Sequence, residues 1–442
     1  MLLNFRMKNF RSFRDDTFFT MLASKQKTHS DYIINDEANG NKLRVLPMSV
    51  IYGANACGKS NIILAMNILK NIIMEGTLEC KTLELYKSTL SFIRDNNWYE
   101  PIMLEITFFT SRNIYKYRIM FTDIDVYKIV EEVLYINDEN IFTRNENGKI
   151  NVDVNHLMRK GYIRKDEEDF SKRLIDKLNQ TLDKQRLVVT GAISNLFDKR
   201  YFDDFFSWFK NFNVIMNAND MNFKQKDLRT IVNQNVDGEG GNKFWESDAV
   251  KEIMDIAEFG NQKIRFVSDK DNEDLSMCSM YRVPFEHESD KYYISMLVDS
   301  EIMESKGTIH LIRLIQPFID ALSEGGVIVL DEMDASLHFE LVVSLIRIFN
   351  NKDINRNGAQ LIFNTHNPIY LDGALLRHDQ IVLVEKRKND MVSEIYSLSD
   401  YGLRPEERIL KNYLNGKYGA LPHVDLEIAF KHILEGEEVS FE

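Results

Sequence analysis

The run Gly53-Ala54-Asn55-Ala56-Cys57-Gly58-Lys59-Ser60 sets two glycines around four residues and follows them with a lysine and a hydroxyl. That spacing suits phosphate. Successive backbone N–H groups can surround anionic oxygens, and glycine lets the chain curl closely around them. The Lys59 ammonium can reach β- and γ-phosphates, and the Ser60 hydroxyl can ligate Mg²⁺. The residues expected to touch such a ligand are Gly53, Asn55, Ala56, Cys57, Gly58, Lys59, Ser60 and Asn61. Cys57 serves through its backbone N–H; its thiol is incidental, although oxidation there could block the loop.

Three later segments carry further chemistry. Val327-Ile328-Val329-Leu330 runs into Asp331-Glu332, an apolar strand that delivers two carboxylates at its C-terminal end. Ligands sit at that end in open α/β sheets. Asp331 is the candidate partner of Mg²⁺, directly or through its water, and Glu332 the candidate base that orients or activates an attacking water. In isolation these would be ordinary solvated acids; the phosphate loop in the same chain gives them a task. Leu361-Ile362-Phe363-Asn364-Thr365-His366 is another apolar strand, ending in a histidine. His366 either contacts a γ-phosphate or the attacking water, or simply closes the strand. Glu304-Ser305-Lys306-Gly307-Thr308 precedes an apolar helix. Ser305 or Thr308 can cap that helix, or its N-terminus can face phosphate.

The elements that must position these residues are readable in outline. Residues 1–22 alternate as two strands around a turn at Arg11-Ser12, and 23–44 are polar, a loop or hairpin tip. Val45–Tyr52 is a strand, and Ile62 to Ile73 recurs at helical spacing, giving strand, glycine loop and helix. Short strands between Ile102 and Thr143 imply an antiparallel sheet. Residues 167–213 read as charged helix, with an aromatic cluster at Phe205, Phe206, Trp208 and Phe209 that suits a core. Residues 217–242 read as a polar loop. A helix near 249–259, strands at 264–267 and 292–297, and a helix at 307–322 precede the acidic strand. Helix 337–350 and strands 360–364 and 380–385 follow it, and then a polar tail.

Composition bounds the function. The chain has 442 residues and a net charge of −13, which disfavours a protein that acts mainly by coating nucleic acid. Three widely spaced cysteines with no CxxC pair exclude a disulfide scaffold and a cysteine zinc knuckle. With no signal-peptide pattern and no apolar run long enough to span a bilayer, the expected location is the cytoplasm, away from membranes.

The four chemical segments, in this order, resemble the ATP-binding cassette ATPases of the SMC/RecF type. Gly53–Ser60 corresponds to Walker A, Val327–Glu332 to Walker B and His366 to the switch histidine. Ser305-Lys306-Gly307-Thr308 is similar to a degenerate signature motif. Asn9-Phe10-Arg11-Ser12-Phe13 resembles the opening motif of the group, in which the arginine, here Arg11, lies near the nucleotide. Asp331–His338 and Tyr413–Pro422 further resemble the AAA-type ATPases of bacterial abortive infection, including those of the PARIS system and of AbiL- and RloA-like pairs. Two points depart from the transporter cassettes. Ser336-Leu337-His338 stands at the D-loop, and no Q-loop glutamine is assigned before the Ile102 strand, where Ser91-Phe92-Ile93-Arg94 lies.

The resemblance implies an α/β fold: an ABC-type P-loop NTPase head with an N-terminal antiparallel β lobe and an inserted helical arm. Residues 1–160 would form the first part of the head, 161–260 the arm, and 261–442 the rest of the head with its tail. It implies ATP and Mg²⁺ as cofactors and a composite site. Lys59, Ser60, Asp331, Glu332 and His366 would come from one subunit, Ser305 and Gly307 from the other, in a head-to-tail dimer. Its functional implication is a sensor or scaffold ATPase of an anti-phage system that answers a phage-derived trigger and controls a separate toxin or nuclease. The stretch after Glu385 is too short for the Toprim nuclease domain of OLD-type and Gabija-type relatives. Two alternatives remain open here: a RecF-like repair ATPase that clamps DNA, using basic residues between Arg159 and Arg173, and a nucleotide-dependent module that does not hydrolyse.

Overall fold

The computed structural model describes the chain except for residues 39, 87–88, 93–98, 111, 123–126, 165–167, 217–247, 258–262, 269–274, 288–289, 405–406, 422–425 and 436–442. The polar loop expected at 217–242 therefore lies outside the described residues.

The chain starts with β1 (Leu2–Lys8), β2 (Thr17–Thr20), the hairpin β3 (Ile34–Ala38) and β4 (Asn41–Val45), then β5 (Met48–Gly53) and α1 (Lys59–Glu75). Next come β6 (Ile102–Phe109), β7 (Ile114–Thr122), β8 (Lys128–Ile136), β9 (Glu139–Arg144) and β10 (Ile150–Asn151). Helices α2 (Glu168–Thr181) and α3 (Lys199–Lys210) lead to β11 (Phe212–Ile215). After α4 (Asp248–Ile256), β12 (Lys263–Ser268), β13 (Leu275–His287) and β14 (Asp290–Asp299) form an antiparallel three-stranded sheet. The last part holds α5 (Lys306–Glu324), β15 (Val327–Leu330), α6 (Phe339–Asn350), β16 (Gln360–Asn364), β17 (Ile381–Lys386), β18 (Ser393–Ser397), α7 (Ile409–Leu414) and α8 (Leu426–Glu435).

Two sheets dominate. Seven antiparallel strands run in the order β10-β9-β8-β7-β6-β1-β2, and a six-stranded sheet runs β11-β15-β16-β5-β17-β18. In the second, all pairings are parallel except β17 with β18. Its central strands are apolar at nearly every position because both faces are covered. Val327, Val329, Ile51 and Ile362 face a core shared with α1 and the antiparallel sheet. Ile328, Leu330, Val50 and Phe363 face the core under α5 and α6. The result is the mixed α/β, P-loop NTPase-like architecture expected.

A buried polar cluster ties the antiparallel lobe to α1. Glu132 is fully buried and accepts hydrogen bonds from the backbone N–H of Val188 (2.7 Å) and Val189 (3.0 Å) and from Tyr117 Oη (3.0 Å). Arg144, also buried, donates to the carbonyls of Arg186 and Asp183 at 2.7 and 2.8 Å. The segment so held closes on the end of α1, where Leu187 N–H donates to the Gly76 carbonyl at 3.0 Å.

The structure differs from the sequence expectations in three places. β11 is a strand where the chain read as continuous helix; it is four residues long, directly follows α3, and pairs in parallel with β15. β13 lies between the two strands expected near 264 and 292, and its mixed composition, with Pro284 inside, hid it. The stretch read as a polar tail contains β18, α7 and α8, and buries Tyr413, Tyr418 and Ala420. Within the expected arm, α3 places Phe205, Trp208 and Phe209 against Phe108 of β6, joining the antiparallel lobe's core.

Candidate functional site

β5 points its C-terminal end at the N-terminus of α1, and residues 53–58 bridge the two. Gly58 caps the helix with a φ of 118°, a left-handed conformation that side chains disfavour. A Cβ there would also lie 2.7 Å from Ser12 Oγ, 2.9 Å from Ser393 Oγ and 3.1 Å from Phe13 Cε2. Those neighbours brace the loop. Asn61 Nδ2 donates to Ser12 Oγ at 2.9 Å, Ser393 N–H donates to the Ser12 carbonyl at 2.7 Å, and Ser393 Oγ donates to the Cys57 carbonyl at 2.5 Å. The turn Phe10–Phe13 and the start of β18 thus support the loop from beneath.

Lys59 is buried, and its ammonium donates to the Gly53 and Ala54 carbonyls, both at 3.0 Å. It lies 3.5 Å from His366 Nδ1. Burial pushes the Lys59 ammonium below the usual lysine range. His366 is also held below the usual histidine range, first by desolvation in the cleft and then by the Lys59 charge. Ser60 Oγ donates to Asp331 Oδ1 at 2.8 Å. Glu332 follows with a φ of 54°, and its carboxylate acts electrostatically on both Lys59 and His366. Hence the phosphate loop, Asp331, Glu332 and His366 meet at the C-terminal ends of three neighbouring parallel strands.

The remaining candidates have other neighbours. Ser305 caps α5, its Oγ accepting from Thr308 N–H at 3.1 Å. Gly307 is buried where a Cβ would fall 2.5 Å from the Ser336 carbonyl, so the start of α5 packs on the segment after Glu332. Arg11 has a φ of 54° and lays its guanidinium 5.0 Å from the Tyr86 ring centroid, beside Ser12.

Sequence reasoning gave no role to Asn364. This amide is buried, donates from Nδ2 to Asp331 Oδ1 at 2.5 Å, and accepts the Glu332 N–H on Oδ1 at 2.5 Å. Its signal was an amide closing an otherwise apolar buried strand beside the acidic one. Thr365 likewise donates to Asp334 Oδ2 at 2.6 Å. In front of the loop, a cavity of about 610 Å³ is bounded by Ala54–Cys57, the β17–β18 connection and the turn at Gly416–Leu421. Tyr413 Oη donates to the Ala420 carbonyl at 3.2 Å, and Tyr396 and Tyr401 donate to the Tyr418 carbonyl at 2.9 and 3.0 Å. The C-terminal motif is therefore a fixed wall of the site's approach.

The donor set fits Mg²⁺-nucleotide. Mg²⁺ is commonly held by one or two protein oxygens together with phosphates, and Ser60 with Asp331 supplies those oxygens beside a phosphate-binding loop. Among the described residues, no helix is long and apolar enough to cross a membrane.

No curated protein matches the chain. Among solved structures, the SMC head domain from Thermotoga maritima aligns with 90% of this chain and 98% of its own, at 14% identity and a TM-score of 0.39. A family model described as "AAA domain, putative AbiEii toxin, Type IV TA system" matches residues 48–372, from the phosphate-loop strand to beyond His366. Spanning well over half of the sequence, that match shows that the chain belongs to this family of AAA ATPase domains.

Proposed function

We propose that the chain hydrolyses Mg²⁺-ATP in a site completed by a second copy, and that the cycle controls a separate toxin or nuclease in an anti-phage system. The observation that carries the nucleotide chemistry is the Ser60–Asp331 hydrogen bond, which brings the phosphate loop and the acidic strand to one point. Residues 53–61 would hold the phosphates through backbone N–H groups, and Lys59 would leave its loop carbonyls for the β- and γ-oxygens. Ser60 and Asp331 would hold Mg²⁺. Bound there, the ion neutralises charge that develops on the transferring phosphoryl group. Glu332 would orient the attacking water as base, and neutral His366 would hydrogen-bond the water or the γ-phosphate. Arg11 would lie near the nucleotide.

The second copy enters through the resemblance, which assigns Ser305 and Gly307 to another subunit's site; within one chain Ser305 caps α5 and Gly307 packs on Ser336. A head-to-tail pair would bring each α5 N-terminus to the other copy's phosphate loop. The sensor role rests on the family's toxin-associated description and on the resemblance of Tyr413–Pro422 to the abortive-infection ATPases. We place such a cycle in the cytoplasm.

The DNA-clamping reading has less support. Of the basic residues offered for it, Lys160 pairs with Glu139 at 2.7 Å and Lys172 with Glu168 at 2.5 Å, so their charge is locally neutralised. ATP turnover measured with and without duplex DNA decides between the two. The proposal expects turnover indifferent to DNA and reduced about 100-fold or more in Glu332→Gln, which keeps nucleotide binding. Strong stimulation by DNA would favour the repair-type reading, and unchanged turnover in Glu332→Gln would remove the base assignment.

A further inference from the structure

We infer that Asn364 is a positioning residue that presets the Mg²⁺ end of the nucleotide site. The inference rests on the reading of Ser60 and Asp331 as the ion's protein partners. Asn364 closes β16, and in the parallel register Leu330 lies opposite Phe363, so the next residue on each strand brings Asp331 beside Asn364. The side chain is almost wholly buried. Both ends of its amide are used on the acidic strand: Nδ2 donates to Asp331 Oδ1, and Oδ1 accepts from Glu332 N–H.

Each bond has a separate consequence. Asp331 Oδ1 takes hydrogen bonds from Asn364 Nδ2 and from Ser60 Oγ. A Ser60 hydroxyl that turns a lone pair to a cation holds the carboxylate at one point only, through its O–H, and the Asn364 amide fixes the carboxylate's rotation. An Asp331 freed of Asn364 would have to be reoriented by the ion itself, at a cost in affinity. The other bond holds the Glu332 backbone in a left-handed conformation, φ 54°, that a glutamate seldom adopts. One amide thus couples where Mg²⁺ sits to where the base points. A merely structural asparagine would satisfy nearby backbone groups and leave the metal carboxylate alone.

The test is the Mg²⁺ dependence of binding a non-hydrolysable fluorescent ATP analogue, measured for the wild type, Asn364→Leu, Asn364→Ala and Ser60→Ala. Leu keeps the branched shape of Asn without its polar atoms, though its methyl groups are bulkier; Ala leaves room for water if Leu disturbs the fold. The expected result is a rise of about ten-fold in the Mg²⁺ concentration needed for half-maximal binding by the Asn364 variants. Their Mg²⁺-free binding of the analogue should stay within about two-fold of the wild type, which shows an intact phosphate loop. A lowered melting temperature with an unmoved Mg²⁺ midpoint would overturn the positioning role. If the wild type and Ser60→Ala respond identically to Mg²⁺, the Ser60–Asp331 assignment falls and the inference with it. If they differ and the Asn364 variants match the wild type, the inference alone falls.

Discussion

Ser60 and Asp331 are 271 positions apart in the chain and joined by a 2.8 Å hydrogen bond from hydroxyl to carboxylate. The sheet order makes that contact, because Ser60 lies in the first turn of α1 after β5 and Asp331 directly follows β15, with β16 between the two strands. The site is therefore a property of the sheet order. A change that displaces β16 would separate the phosphate loop from the acidic strand.

Gly58→Ala should damage both fold and site. The new Cβ would meet Ser12, Ser393 and Phe13 within 3.1 Å, at a φ of 118° that alanine rarely adopts. The expected cost is about 1–3 kcal/mol of stability, with loss of nucleotide binding, checked by denaturant unfolding and by titration with a nucleotide analogue. Unaltered stability would mean that the loop can shift away from its braces.

His366 should titrate below the usual histidine value, because desolvation and then Lys59 both disfavour its charged form. Buried His310, whose Nε2 lies 3.0 Å from the Met333 carbonyl, is shifted the same way, with desolvation the main cause. A histidine that resists protonation only when folded leaves the unfolded chain binding more protons as pH falls through about 6.5. Stability should hold at neutral pH and decline on acidification through that value. Histidine NMR should show the low midpoints, and Lys59→Met should move that of His366 upward. A His366 midpoint unchanged in Lys59→Met would remove the electrostatic coupling.

Glu132→Ala should destabilise the protein by about 1–3 kcal/mol, since it leaves the buried Tyr117 hydroxyl unpaired and removes the carboxylate that acts electrostatically on buried Arg144. It also leaves the Val188 and Val189 N–H groups without their carboxylate partner. Burial raises the Glu132 carboxyl above the usual range, opposed by those N–H groups and by Arg144. Denaturant unfolding measures the loss; a change under 1 kcal/mol would show that water replaces the carboxylate.

Much of this was legible in the sequence. The phosphate loop carries its own spacing, and β15 and β16 are apolar runs that end in chemistry, so their place in a parallel sheet followed. Asn364 was visible as a residue but not as a partner, because its use depends on which strand lies beside β16. Ser12 and Ser393 were harder still. Serine has no distinctive pattern, and their meeting under Gly58 arises from tertiary contact between the first turn and a strand near the other end of the chain. β11 was hidden by the helix-like aromatic run before it, and the tail's order comes from Tyr413 being buried against Tyr52, far away in sequence, and from Tyr418 packing on Tyr401.

The central claim, a nucleotide site shared between two copies, is tested most directly by mixing two inactive variants and measuring ATP turnover. Lys59→Ala removes the phosphate-loop cation, and Ser305→Arg obstructs the α5 N-terminus. Each homodimer should be inactive. A mixed head-to-tail dimer keeps one site with both Lys59 and Ser305 intact, so an equimolar mixture should recover about a quarter of wild-type turnover. Wild-type specific activity should also rise with protein concentration. No recovery on mixing, with wild-type activity independent of concentration, would contradict the shared site and assign hydrolysis to the single chain.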